Sequence, residues 1–212
     1  VRRWLTPLWR GPARTGRTLE LLLDPGFVAL DLETTGLDPR RDVVVAAAAI
    51  PVRHGVPQPG YATLVDPGRP IPPSSSAIHG ITDAMVQGAP PIGSVLDALA
   101  HVWDGAVIVG HGIDFDLAVL ARAAREGGRR PPANAAVCTM RLAAAVHPDW
   151  TDVTLDTVAA RLGVVIHERH TPRGDAEAAA AILVRLLPAL RERGVTTLDE
   201  LFWLQSTAVP RA

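Results

Sequence analysis

An α/β domain built on a mixed sheet is the fold class this sequence predicts, on three observations. Three β-rich runs follow one another closely between residues 27 and 65, and beyond residue 91 helical and strand patterns alternate. Hydrophobic residues make up 48% and charged residues 20% of the 212 positions, enough for one substantial core and free of any bias toward disorder or fibre. Short connections favour antiparallel neighbours, and helical crossovers favour parallel ones. The expected sheet is therefore mixed, five-stranded and flanked by helices.

Taken in order, "GFVALDLE" reads as a first strand, "DVVVAAAAIPV" as a second and "YATLV" as a third, with "TTGLDPRR" turning between the first two. "DPGRPIPPSSSAIHGIT" is expected to be a Pro- and Ser-rich surface loop. Helical spacing follows in "IGSVLDALAHVW" and "DFDLAVLARAARE", on either side of the short buried strand "AVIVG", and "AAVCTM" is the last strand. "TLDTVAARLG" and "DAEAAAAILVRLLPALRERG" are helices stopped by glycine, the second expected to kink or end its regular part at Pro188. "TTLDELFWL" opens with a capping box, Thr197 to Glu200. These elements place the main domain at residues 25–205, between a basic N-terminal arm (1–24) and a short C-terminal tail (206–212).

The bulk properties exclude several classes. No apolar run approaches the ~20 residues that span a bilayer. A single cysteine, Cys138 in an apolar stretch, rules out an intrachain disulfide and a Cys-based zinc cluster, and is compatible with a reducing, cytoplasmic setting. Net charge is −1, so there is no global basic field. All 21 basic residues are Arg; such a uniform bias speaks more for base composition than for a selected surface. The Arg-rich arm with Trp4 and Trp9 is compatible with a presequence, a membrane-surface anchor or a segment packed on the domain behind it.

The end of the first strand is costly. Residues i and i+2 of a strand leave the same side of the sheet, so Asp31 and Glu33 in "FVALDLETTGL" point one way. Like charges at the edge of a core repel and lose hydration, and a shared proton, Arg partners or cations relieve them. Asp116 in "HGIDFDLAVL" and Asp175 in "HTPRGDAEAAAA" each sit near a helix start, where a carboxylate also serves as a cap or first-turn acid. His170 precedes Asp175 by five residues. Ligands of open α/β sheets gather near strand ends, where these carboxylates also cluster.

Together "DLETTG", "HGIDFDLAVL" and "HTPRGDA" resemble, in order and spacing, the three motifs of the DEDDh (DnaQ-like) 3′→5′ exonucleases. That family includes the proofreading subunit of bacterial replicative DNA polymerase, ribonuclease T and oligoribonuclease. "LVDPGRPIPPSSSAIHGITDAMVQGAPPI" resembles the segment these enzymes carry between the first two motifs, and the resemblance runs from about residue 26 to residue 187. The separation of His170 from Asp175 argues against the sister subfamily that uses a tyrosine, because the only tyrosine, Tyr61, is far from the third motif. Gly112 departs from the Asn often found after the second-motif histidine.

The resemblance implies a ribonuclease H-like fold, with Asp31, Glu33, Asp116 and Asp175 as ligands of two Mg²⁺ or Mn²⁺ ions and His170 as general base. Hard oxygen ligands without cysteine suit those ions better than zinc, and two such ions clamp the attacking and leaving oxygens of an in-line displacement. Thr34 and Leu37 are implied to meet the 3′-terminal nucleotide. The implied reaction releases nucleoside 5′-monophosphates from the 3′ end of nucleic acid, DNA favoured over RNA ends or short oligonucleotides. A non-catalytic nucleic-acid-binding relative ranks behind, since all five residues are kept. "RAAREGGRR" and the arm are candidate phosphate-contacting patches, although a charge run is usually a solvated face. His79 in "IHGIT" reads as a packing or loop residue. Little sequence follows residue 205, so no extended polymerase-binding region is expected there; polymerase association and a homodimer both remain open.

Overall fold

The computed structural model describes residues 26–208; the arm expected over residues 1–24 lies outside them. One sheet contains β1 (Phe27–Thr34), β2 (Val44–Arg53), β3 (Val56–Pro57), β4 (Tyr61–Leu64), β5 (Ile108–Gly110) and β6 (Ala136–Cys138). Its order is β3-β2-β1-β5-β6, with β4 also paired to β2. β1–β2 and β2–β4 are antiparallel, whereas β1–β5 and β5–β6 are parallel, as the connection lengths predict.

The expected count of five strands is corrected by β3. His54 and Gly55, with φ of 51° and 77°, turn the chain back on β2 in a tight hairpin. Pro57 has no N–H to extend the ladder. Since β1 occupies the other edge of β2, the two-residue β3 and β4 lie end to end along one edge.

Among the described residues the helices are α1 (Pro73–His79), α2 (Asp83–Val86), α3 (Ile92–Val102), α4 (Asp114–Glu126), α5 (Thr139–Val146), α6 (Leu155–Arg161), α7 (Pro172–Glu192) and α8 (Leu198–Thr207). The segment expected to be a Pro/Ser loop instead contains α1. Pro73 fits the first helical position, Gly80 ends the helix in the left-handed conformation, and Ile71 and Ile81 bury the flanks against β2. Pro188 does not end α7, which runs on to Glu192. The Thr197–Glu200 capping box opens α8, which carries the chain through Thr207. No described helix is long and apolar enough to cross a membrane.

Both faces of the sheet are covered. Phe27 and Ala29 of β1 pack with α5, α6, α7 and α8. Val28, Leu30 and Leu32 pack with α3 and α4 on the other face. Each fully buried Leu, Ile or Phe side chain in these layers contributes roughly 1.5–3 kcal/mol. Cys138 is a buried free thiol within the second layer, as its apolar setting predicts. At the β6 edge Gln205 of α8 accepts from the Cys138 N–H (2.9 Å) and donates to the Ala136 carbonyl (2.8 Å).

Candidate active site

Alternation along β1 decides which helix the acids meet. Asp31 and Glu33 continue the row of Phe27 and Ala29, on the face covered by α7, and Asp175 lies in the first turn of α7. One carboxylate oxygen from each of Asp31, Glu33 and Asp175 fall within 4.8 Å of one another. Asp116, in the first turn of α4, stands outside that trio yet acts electrostatically on Asp31 and is itself influenced by Glu33. β5 is only three residues long, so α4 begins beside the end of β1, where the Leu32 backbone hydrogen-bonds to Asp116. Asp114, two residues earlier, pairs instead with Arg141.

Burial and mutual repulsion raise these carboxyls. Asp31 is held well above the usual carboxylate range, first by burial and then by Asp116, Asp175 and Glu33. Glu33 is pushed up to about 7 by burial and Asp175. Asp116 reaches about 8 through burial, against the pull of its backbone hydrogen bonds. Asp175 is raised by burial, with Arg169 opposing. A divalent cation fits this donor set on a specific ground: Asp175 Oδ1 is buried without a hydrogen-bond partner, beside two other carboxylates. Hard anionic oxygens alone suit Mg²⁺ or Mn²⁺.

The turn after β1 is tightly held. The ladder shifts register between Glu33 and Thr34, a bulge that redirects the strand as it leaves the sheet. Asp42 accepts from Thr35 Oγ1 (3.1 Å) and from the Asp38 N–H (2.8 Å). Arg122 of α4 donates to the carbonyls of Pro39 and Asp42, and Ser75 of α1 donates to the Thr35 carbonyl (2.8 Å). A Cβ on Gly36 would come within 2.6 Å of the Asp42 carboxylate, so glycine is required there by close approach. Thr34 is buried with its hydroxyl on the Gly36 carbonyl (2.7 Å), and Leu37 is 75% exposed.

The third-motif loop is built differently. Glu168 and His170 both adopt left-handed backbone, with φ of 54° and 64°, which bends the loop over the start of α7. A side chain on Gly174 would collide with the carbonyls of His167 and Glu168, so this glycine lets the loop lie against the helix. Arg169 forks onto Asp156 of α6 (Nε–Oδ1 2.8 Å, Nη2–Oδ2 3.0 Å), and its Nη1 contacts Asp175 Oδ2 and lies 3.3 Å from His170 Nδ1.

Sequence reasoning missed Arg169, Asp156, Asp42 and Ser75. Arg169 adjoins His170, which was the one available signal; the others meet their partners only through the fold. In the candidate patch "RAAREGGRR", Arg122 is tied to Glu126 and the turn carbonyls, and Arg129 forks onto Asp97, which leaves Arg125 and Arg130 as its exposed cations. His79 Nδ1 accepts from the Ile81 N–H (3.0 Å), a local loop bond. Second-motif His111 donates from Nε2 to the Val153 carbonyl (2.8 Å), and burial presses it down to about 4, so it is a neutral brace. Gly112 has φ of 79°, a left-handed conformation that Asn also tolerates better than other side chains.

A model of the RNase T family, described as exonuclease, matches residues 28–183. A DNA polymerase III subunit epsilon-like protein of Rhodobacter capsulatus is 44% identical over 176 residues, which is 81% of this chain and 25% of that protein. The DNA polymerase III subunit epsilon of Aquifex aeolicus is 32% identical over 169 residues, 80% of this chain and 84% of that one. Among solved structures, Exonuclease X in complex with 5′ overhanging duplex DNA aligns with a TM-score of 0.65 at 26% identity, covering 84% of this chain and 99% of that chain. The shared architecture is ribonuclease H-like.

Proposed function

The chain belongs to the RNase T family of exonucleases, and from that premise we propose that it is a divalent-metal-dependent 3′→5′ exonuclease that shortens DNA to nucleoside 5′-monophosphates. The observation that carries this reading is the buried, unpartnered Asp175 Oδ1 beside Asp31 and Glu33. Asp31, Glu33 and Asp175, with Asp116 behind them, would hold two Mg²⁺ or Mn²⁺ ions. Such ions neutralise the phosphodiester and stabilise the attacking and leaving oxygens of an in-line displacement. His170, displayed on its left-handed backbone next to Asp175, takes the proton of the attacking water as general base. The Thr34 backbone meets the terminal 3′-hydroxyl, and the exposed Leu37 wedges against the last base.

DNA is favoured over RNA because the relatives are named as DNA polymerase subunits and Exonuclease X was solved with DNA. The same names support work beside a polymerase. The test is digestion of 3′- and 5′-labelled DNA and RNA oligonucleotides with Mg²⁺, with Mn²⁺ or with EDTA. The expected result is stepwise loss of the 3′ end of DNA, as 5′-monophosphates, only with metal. Turnover undiminished by chelator, or products bearing a 3′-phosphate, would overturn the mechanism; preferential loss of RNA ends would move the substrate.

A further inference from the structure

Asp31, Glu33 and Asp175 converge here with Asp116 behind them, and Arg169 is in contact with one of them, Asp175. Its donors divide cleanly. Nε and Nη2 are spent on Asp156, whose side chain is 62% exposed, while Nη1 reaches inward to Asp175 Oδ2. The inner partner is only half satisfied, because Asp175 Oδ1 has no partner at all. The guanidinium is thus anchored on the solvent side and extends one donor into the cluster. We propose that Arg169 is a tethered counter-cation: it neutralises Asp175 while the site lacks metal, and it yields that contact, still forked on Asp156, when divalent ions enter. Arg169 is then a positioning residue that sets metal affinity, and its contact with His170 Nδ1 couples the same movement to the proton-accepting imidazole.

This inference rests on the metal reading of the cluster, so its test measures metal binding directly. Mn²⁺ affinity is read from the electron paramagnetic resonance of free Mn²⁺ in mildly alkaline buffer, alongside melting in chelator. Removing a unit charge in contact with a ligand, as in Arg169→Gln, tightens Mn²⁺ binding on the order of tenfold and lowers the melting temperature in chelator. Arg169→Lys keeps the charge and stays near the wild-type affinity. Asp156→Asn, a change at an exposed residue that does not threaten folding, frees the guanidinium to settle on the cluster and weakens Mn²⁺ binding severalfold. A purely structural role would shift Arg169→Gln and Asp156→Asn in the same direction. Equal or weaker binding by Arg169→Gln, equal or tighter binding by Asp156→Asn, or a Lys variant indistinguishable from the Gln variant overturns the proposal and leaves the metal site standing. No Mn²⁺ binding by the wild-type protein, with none lost in Asp31→Asn, removes both.

Discussion

The two segments that flank the carboxylates follow opposite plans. The turn after β1 is over-determined: Asp42, 9% exposed, gathers Thr35 and the Asp38 amide, and Arg122 and Ser75 fasten it to α4 and α1. The loop before α7 has two residues in left-handed backbone and is hung on the Asp156–Arg169–Asp175 chain of charges. The turn proposed to receive a 3′ end is therefore fixed by side-chain hydrogen bonds from three elements, whereas the segment that carries His170 leans on an Arg169–Asp175 contact that, on the proposal above, a cation replaces.

The largest effects test whether both segments serve one site. Asp31→Ala is expected to abolish release of mononucleotides from labelled oligonucleotides, and His170→Ala to cut it by roughly 10²–10⁴. Retained turnover in either variant would detach its segment from the chemistry. Next comes the clamp: Asp42→Ala takes the acceptor from the Asp38 amide and from the Thr35 hydroxyl, which keeps the Val43 N–H and Arg69 as donors, and should cost roughly 3 kcal/mol in urea unfolding. A loss below about 1 kcal/mol would place this turn on a level with the other loop.

A smaller effect concerns pH. Asp116 and Glu33 have folded values of about 8 and about 7 against ordinary values of 3.8 and 4.5, so the metal-free fold binds their protons more tightly than the unfolded chain does. The stability this gives is present at low pH and is lost as pH rises through 7 and 8. His111 runs the other way, near 4 when folded against 6.5, and its contribution, like those of His79 and His147, levels off as the unfolded imidazole loses its remaining proton above 6.5. Between pH 6.5 and 8 the raised carboxyls outweigh this fading histidine contribution. Calorimetry in chelator should show the melting temperature falling across that window and Mg²⁺ flattening the fall; a rise in chelator would mean the acids are not held protonated. The smallest effect sharpens the contrast in backbone strain: Glu168→Gly should stabilise the protein by about 1 kcal/mol, measured by urea unfolding.

How far all this could be read from sequence follows the range of the interactions. Asp31 and Glu33 were legible because strand alternation is local, and Asp116 and Asp175 because each opens a helix next to a recognisable motif. The Asp156–Arg169 fork joins residues of different elements, and the Asp42 clamp draws on α4 and α1, so neither has a local signature. Helix α1 escaped because Pro and Ser read as loop formers, although Pro73 and Gly80 stand where helix ends favour them. The basic run reads as a phosphate patch because Asp97, the partner of Arg129, and the turn carbonyls that hold Arg122 lie in other elements, although Glu126, the i+4 partner of Arg122, stands in the run itself.

Gln205 has one further consequence. A terminal strand with free amides and carbonyls is a template on which a strand from another molecule can assemble, the usual start of edge-to-edge aggregation. On β6 the Cys138 amide and the Ala136 carbonyl are already answered by a side-chain amide that mimics a peptide group. An intruding chain would have to expel that mimic before gaining a single ladder bond, so one glutamine seals this border of the sheet.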